Sequence, residues 1–335
     1  MPRTEPLRWG IIGIGRFGQL HARAVQSAHG LELAAICNRT PARLEESLRL
    51  FPGVASTNDY QQLLEDTTIQ VVSITTHWRD HYEIARAALA SGKHVLLEKP
   101  MAASSEECRH LAELAQAADG NLMVGHICRF DPRVTLAKQA IDEGRIGRIV
   151  SMHAKRNLPQ ASGSLRLDKI SPLMGDGIHD ADLMMWFLDA APTRVYARYI
   201  RFHEFRYPDI GWAMLEFEDR AIGVIETNWG LPPNSPTVID ATMQVVGTEG
   251  MLTIDCSHTG LTILDSAGWK AQDTDYWPQQ HGSIVGVLQN EISYFANCIR
   301  NDRVPDVITP SEAARAVRVM EAAELSAARS LPVEL

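Results

Sequence analysis

No two of the five cysteines stand at CxxC spacing. Cys37, Cys108, Cys128, Cys256 and Cys298 are odd in number and scattered, which argues against a disulfide framework or a zinc ribbon and predicts reduced thiols in a cytoplasmic protein. No apolar run approaches the ~20 residues of a membrane span. No signal peptide is expected, because the start from Met1 to Arg8 is polar and leads straight into a strand. Positive charge is not in excess either. Lys+Arg number 32 against 41 Asp+Glu, a net charge of −9, which excludes nucleic acid and anionic membrane as natural partners. There is no internal repeat and no low-complexity segment. What remains is a chain of 335 residues, 45% apolar, long enough for one large or two ordinary domains with a sizeable core.

The first third alternates strand and helix. Leu7 to Ile14 is apolar, Phe17 to His29 has helical spacing, and Leu31 to Cys37 is a second strand. Thr40 is placed to cap a helix that opens with Pro41. Val71 to Thr75, Lys93 to Leu97 and Asn121 to Gly125 read as further strands, separated by helices over Trp78 to Ala90 and from the capping signature Ser104-Ser105-Glu106-Glu107 to Ala118. This βαβα order predicts a parallel, doubly wound α/β sheet over residues 1–124. From about residue 125 to 335 the pattern becomes that of an α+β domain. A helix from Pro132, a strand near Arg148 to Arg156 and a helix near Asp176 to Leu188 precede several strands joined by turns such as Glu218-Asp219-Arg220, which reads as antiparallel. Two helices, Ser283 to Arg300 and Pro310 to Ser330, end the chain.

Gly13-Ile14-Gly15-Arg16-Phe17-Gly18 is a GxGxxG between a strand and a helix, the context in which glycines let the backbone approach a pyrophosphate at the helix N-terminus. Twenty positions after Gly18 the second strand ends in Asn38-Arg39-Thr40. An acidic residue there would accept from ribose hydroxyls and repel a 2′-phosphate; neutral Asn38 and cationic Arg39 favour NADP over NAD. At the carboxyl end of a later buried strand stands Glu98-Lys99-Pro100, where ligands of open α/β sheets bind.

Taken together, Thr75-Thr76-His77 with His81, Gly92-Lys93-His94-Val95 ending in Glu98-Lys99-Pro100, Val124-Gly125-His126-Ile127-Cys128-Arg129-Phe130-Asp131-Pro132, Gly175-Asp176-Gly177-Ile178-His179-Asp180 and Val246-Gly247-Thr248-Glu249-Gly250 resemble the Gfo/Idh/MocA oxidoreductases over essentially the whole chain. The resemblance implies an N-terminal Rossmann domain and a C-terminal domain built on a large, mostly antiparallel sheet. It implies oxidation or reduction of one carbon of a sugar, sugar derivative or inositol with NAD(H) or NADP(H), and assembly as a homodimer or homotetramer through the open face of that sheet. It carries the catalytic lysine to Lys99 and the second-domain histidine to His179. It lines the nicotinamide end with Thr75, His77, Glu98 and Lys99, counts Thr76 among the cofactor contacts, and puts the reaction centre in the cleft between the domains.

The residue types suit that chemistry. His179 would take the hydroxyl proton, since an imidazole ordinarily titrates near neutral pH; a place in the first turn of a helix would keep it neutral. Lys99 would steady the oxygen that develops charge. Many relatives carry an aspartate four residues before the histidine. Here that position is Gly175, and Asp176 follows it, either displaced into the same role or acting as the helix N-cap. Inositol dehydrogenases of the family show His-Arg-Asn where this chain has Lys155-Arg156-Asn157, which puts myo-inositol in doubt; Lys155, Arg156, Arg166 and Lys169 would favour an anionic sugar. Arg129, Lys155, Arg156 and Asn157, with Lys99 and His179, are the expected substrate contacts. No metal is expected, since His153, His179, His281 and Asp176 include no close-spaced ligand pair. Trp229 and Trp277 would wall the substrate cleft. The competing reading is a non-catalytic dinucleotide-binding regulator of the same fold, disfavoured because Lys99 and His179 are both present.

Overall fold

The computed structural model describes residues 5–218, 220–257, 260–266 and 268–335. The first four residues of the polar start, and Asp219 of the expected turn, lie outside them. The chain divides into two compact units, Met1–Phe130 with Asp275–Ala314, and Asp131–Thr274 with Arg315–Leu335. The sequence pattern suggested one cut near residue 124. The later stretch returns to the first unit because its apolar helical stripe finds cover there: Phe295 sits edge-on to Trp9 at 6.1 Å, and both are fully buried.

The first unit runs β1 (Leu7–Ile12), α1 (Arg16–Ser27), β2 (Leu31–Cys37), α2 (Pro41–Leu50), β3 (Ala55–Thr57), α3 (Tyr60–Glu65), β4 (Val71–Ile74), α4 (His81–Ala90), β5 (His94–Glu98), α5 (Ser105–Ala117) and β6 (Leu122–Gly125). All six strands are parallel, in the order β3-β2-β1-β4-β5-β6. The doubly wound sheet read from the alternation is therefore present, with its strand order reversing between β1 and β4. Every residue of β4 is buried, as expected of a strand covered on both faces. β3 and α3 are too short and too polar to stand out in the sequence. Ser104 caps α5, its Oγ accepting from Glu107 N at 3.2 Å, while the Glu107 carboxylate accepts from Ala103 N at 2.9 Å. Thr40 does not cap α2 with its side chain; its own N–H donates to Asn38 Oδ1 at 2.9 Å.

The second unit contributes α6 (Pro132–Asp142), β7 (Ile149–Asn157), the single turn α7 (Gln160–Gly163), α8 (Ile178–Leu188), β8 (Arg194–Ile200), β9 (Ile210–Phe217), β10 (Ala221–Asn228), β11 (Asp240–Gly247), β12 (Met251–Asp255) and the hairpin β13 (Thr262–Asp265) and β14 (Gly268–Ala271). After them come the short pair β15 (Gln279–Gln280) and β16 (Ser283–Ile284) and helix α9 (Val287–Arg300), all of the first unit. The chain ends in α10 (Pro310–Arg329), which begins in the first unit and continues in the second, and β17 (Val333–Glu334). Seven strands form the second sheet in the order β12-β11-β7-β10-β9-β8-β17. Its pairs are antiparallel except β7 with β10, which is parallel. Burial alternates along β9 and β10, so one face is covered and the other carries exposed Trp212 and Ile222.

Candidate active site

The dinucleotide turn is built by close backbone packing. Gly13 N and Ile14 N both donate to Cys37 O, at 2.9 and 3.1 Å, which ties the turn to the end of β2. Gly13 has φ +100°, and a Cβ there would lie 2.7 Å from Thr76 N. A Cβ on Gly18 would come within 2.3 Å of Gly13 O. Gly15 differs: the nearest atom to its Cβ position is 4.0 Å away, so open space lies where a phosphate would approach. The first turn of α1 has no acidic residue and no side-chain cap, leaving its N–H groups to an anion. The residues present therefore fit a pyrophosphate. Arg16 is exposed at this turn, and the Phe17 ring stands edge-on to His21 at 5.1 Å and to Trp277 at 5.5 Å.

At the end of β2 no carboxylate is present. The Asn38 side chain is engaged by Thr40 N, and Arg39, 78% exposed, lies 3.3 Å from Asp80. At the end of β4, Thr75 Oγ1 donates to Gly13 O at 2.8 Å, joining the two strand ends. His77 Nδ1 accepts from Arg79 N at 3.3 Å. Glu98 and half-buried Lys99 close β5, and the Lys99–Pro100 peptide bond is cis. His81, the first residue of α4, braces this region. Its Nδ1 lies 2.8 Å from Pro100 O and its Nε2 3.3 Å from Thr76 O. Burial pushes its pKa down, past the opposing pull of those carbonyls and of Glu98, so the ring is neutral and its one N–H serves the shorter contact, to Pro100. The spacing of His81 from Thr76 and Pro100 carries no sequence signal of this role.

In the second unit the polar residues Lys155, Arg156 and Asn157, expected at the substrate, are each paired with an acidic neighbour. Arg156 Nη2 donates to Asp180 Oδ1 at 2.8 Å, both side chains being buried. Lys155 Nζ lies 2.7 Å from Asp240 Oδ1. Burial works to raise the Asp240 pKa, but hydrogen bonds from Lys155, Ser257 and Asn157 overcome it and hold the carboxyl below its ordinary range. Asn157 donates to Glu226 Oε1 at 2.9 Å and accepts from Asn228 N at 2.9 Å. Arg129, in the first unit, is likewise interior: it donates to Val307 O at 2.7 Å and to Glu312 at 2.9 Å. The positive groups that favoured an anionic sugar are thus largely neutralised in place.

The helix of His179 begins earlier than its sequence suggests. A π-helical turn, Leu173–Gly177, leads into α8 without a break. Asp176 lies inside that turn and is not an N-cap. Its Oδ2 accepts from Trp229 Nε1 at 3.0 Å and from Arg166 at 3.3 Å. His179 is 6% exposed and sits more than a turn from the helical start, so the dipole argument for a neutral ring loses most of its force. Gly175 cannot hold the expected aspartate, because a Cβ there would lie 2.5 Å from Trp229 Cη2. Trp229 itself is fully buried in a cluster with Leu158 and Leu167 and does not wall a cleft.

One grouping went unforeseen. His21, Glu98 and Glu291 bring one donor atom each to within 4.8 Å of one another, the one such group of histidine, cysteine or acidic side chains among the described residues. A glutamate on the apolar stripe Leu288, Ile292, Phe295 of α9 was the available signal. No helix of the described residues is long and apolar enough to cross a membrane.

Comparison with known proteins agrees with this geometry. Residues 7–126 match a family model described as an oxidoreductase family with an NAD-binding Rossmann fold, and residues 134–253 match the GFO/IDH/MocA C-terminal domain. The scyllo-inositol 2-dehydrogenase (NAD(+)) of Bacillus subtilis is 30% identical over 98% of this chain and 96% of its own. The inositol 2-dehydrogenase of Salmonella typhimurium is 30% identical over 67% of this chain and 65% of its own. A crystal structure of scyllo-inositol dehydrogenase from Lactobacillus casei with NAD(H) and scyllo-inositol superposes with a TM-score of 0.84 over 98% of this chain and 99% of that one. At 22% identity this shows the shared fold.

Proposed function

This chain belongs to the Gfo/Idh/MocA oxidoreductase family, and on that premise we propose that it moves a hydride between a nicotinamide dinucleotide and one carbinol carbon of an inositol or a related neutral polyol or sugar. The observation that carries the reading is the gathering of Gly13, Thr75 and Glu98-Lys99 at the carboxyl ends of three adjacent parallel strands, β1, β4 and β5, beside an uncapped helix N-terminus. The committed side chains of Lys155 and Arg156 support a neutral substrate over an anionic one.

The bound dinucleotide would supply the hydride acceptor or donor. Its pyrophosphate would be held by the backbone of Gly13, Gly15 and Gly18 with Arg16 and Phe17 alongside, and its nicotinamide end by Thr75, Thr76, His77 and Glu98. Lys99 would hold the reacting oxygen through its ammonium group and offset the charge that develops as the carbinol proton leaves. His179 would take that proton in oxidation and return it in reduction. Asp176, three residues earlier on the same helical face, would orient the ring. Asn157 would keep the β7 tip in place, and Arg129 and Arg156 would act through packing. The lack of an acid at Asn38, with Arg39 beside it, supports NADP as the better cofactor, although Asp80 already draws on Arg39. The exposed apolar residues Trp212 and Ile222 support assembly of copies through the open sheet face; a monomer mass in light scattering would remove that reading.

The test is a panel of inositols and sugars followed by absorbance of reduced nicotinamide, with NADP and with NAD. We expect turnover on a neutral polyol, higher kcat/KM with NADP, and a difference between cofactors that narrows in Arg39→Ala. Lys99→Ala should lose roughly 10²–10³ in kcat while still binding dinucleotide. Binding without turnover across the panel would move the chain to the regulator reading.

A further inference from the structure

We infer that His21, Glu98 and Glu291 form a buried proton-holding triad: Glu291 remains a carboxylic acid at neutral pH, donates its proton to Glu98, and thereby fixes the strand end that carries Lys99. The part of this that concerns activity rests on the reading of Lys99 above; the protonation itself does not.

Glu291 stands on the inner stripe of α9 with zero exposure, and neither of its carboxylate oxygens meets a hydrogen-bond donor among the described residues. An ionised carboxylate so placed is among the costliest groups a core can hold, and it neutralises where it can. The neighbour within reach is a second carboxylate, Glu98, with the imidazole of His21 completing the group inside 4.8 Å. Two carboxyl groups sharing a buried site do not both ionise; one keeps a proton and donates it to the other.

The surroundings say which one. Glu98 Oε1 lies 3.2 Å from His21 Nε2, and Glu98 Oε2 accepts from Lys99 N at 3.3 Å. The His21 tautomer follows from its other side. Ser73 Oγ accepts from Trp9 Nε1 at 2.9 Å, which leaves the serine O–H to donate to His21 Nδ1 at 3.2 Å. The ring proton is then on Nε2, facing Glu98. Of the two carboxyl groups, Glu98 has a donor, the Lys99 amide, and an imidazole nitrogen 3.2 Å away, whereas Glu291 meets no donor and is the acid. The chain of hydrogen bonds reads Trp9 to Ser73 to His21, with Glu98 and Glu291 grouped beside the ring. Gly125 makes the room: a Cβ there would lie 2.6 Å from Glu98 Oε1.

The other titratable groups on elements packed against α9 do not change this. Arg16 is exposed and Arg23 half-buried on α1; His126 is buried ahead of the turn Ile127–Phe130; Arg129 in that turn is engaged by Val307 O and Glu312. Burial first, and then the charge of Glu98, pushes the Glu291 carboxyl well above its ordinary range.

Infrared spectroscopy of the purified full chain without substrate gives the direct test. A carbonyl stretch of an un-ionised carboxyl should be present at neutral pH, vanish in Glu291→Gln and persist in Lys99→Ala. Because the folded state alone holds this proton, wild type should lose stability as pH rises above the ordinary glutamate value of about 4.3, and Glu291→Gln should not. The difference in Tm should therefore widen in favour of the glutamine variant between roughly pH 5 and 8. In turnover, Glu291→Gln, which can still donate to Glu98, should stay within a few-fold of wild type. Glu291→Leu, which cannot, should lose roughly ten- to a hundredfold in kcat with a smaller change in dinucleotide affinity. Absence of the carboxyl band at neutral pH would overturn the proposal. So would equal activity of the glutamine and leucine variants, or a stoichiometric divalent metal in elemental analysis. Failure of Lys99→Ala to lose turnover would instead strike the proposed function and leave the infrared result standing.

Discussion

At the carboxyl ends of β1, β4 and β5, recognition is prepared by backbone; at the tip of β7 it is prepared, or pre-empted, by side chains. The first region keeps its helix N-terminus uncapped and its middle glycine open to space. Its side-chain hydroxyl, Thr75 Oγ1, serves to pin the turn. In the second region each side chain of Lys155-Arg156-Asn157 has an acidic partner within 3 Å. One strand end leaves its hydrogen-bonding capacity for a ligand, and the other uses it to hold a mixed sheet together. A residue that matches a substrate-contact position by sequence thus brings to a ligand only the hydrogen-bonding capacity its neighbours leave it.

The sharpest way to break this contrast is Arg156→Ala. If the guanidinium is structural, its removal takes from the buried Asp180 carboxylate its Arg156 partner, at a cost of about 3–5 kcal/mol. Denaturant unfolding should show a large fall in midpoint with little change in slope. The double variant Arg156→Met with Asp180→Leu should recover most of the loss, since a well-packed apolar pair replaces a buried ion pair with little penalty. Unchanged stability with a raised KM would instead return Arg156 to the substrate and erase the difference between the two regions.

The same contrast sets what could be read from the sequence. The parallel sheet, its glycine turn and the order of motifs were legible because backbone constraints leave fixed residue types at fixed spacings: Gly13, Gly15 and Gly18 each answer to a measurable absence of room or presence of space. The family was legible for the same reason. Illegible were features made by residues distant in sequence. The partners of Arg156 and Lys155 are Asp180 and Asp240, 24 and 85 residues further along the chain, at no spacing that marks a pair. The early start of the His179 helix, the return of α9 to the first unit, and the meeting of His21 with Glu98 and Glu291 depend on tertiary packing that no local period encodes. Asn38 and Arg39 stand between: their types were plain, but the Asp80 carboxylate beside Arg39 was not.

A smaller effect probes how the second region arrived at its present form. Gly175 holds the position where the family resemblance implies an aspartate, and the indole of Trp229 leaves no room for one: its Cη2 and Cζ2 would lie 2.5 and 2.7 Å from a Cβ there. That indole has nowhere to go. It is fully buried, packed against Leu158 and Leu167, and anchored by its Nε1–H donated to Asp176 at 3.0 Å. Bulk at 175 and a bonded carboxylate at 176 therefore exclude one another. Gly175→Ala should gain up to about 1 kcal/mol of helix propensity and lose about 1–3 kcal/mol to overpacking, for a net destabilisation of about 1 kcal/mol. In a Trp229→Phe background, where the offending ring atoms are gone, the same change should cost less or become stabilising, which a double-mutant cycle on thermal unfolding reads directly. A stabilising Gly175→Ala in the wild-type background would mean that propensity alone governs the site. Asp176 would then owe its position to the π-helical turn and not to the tryptophan that now holds it.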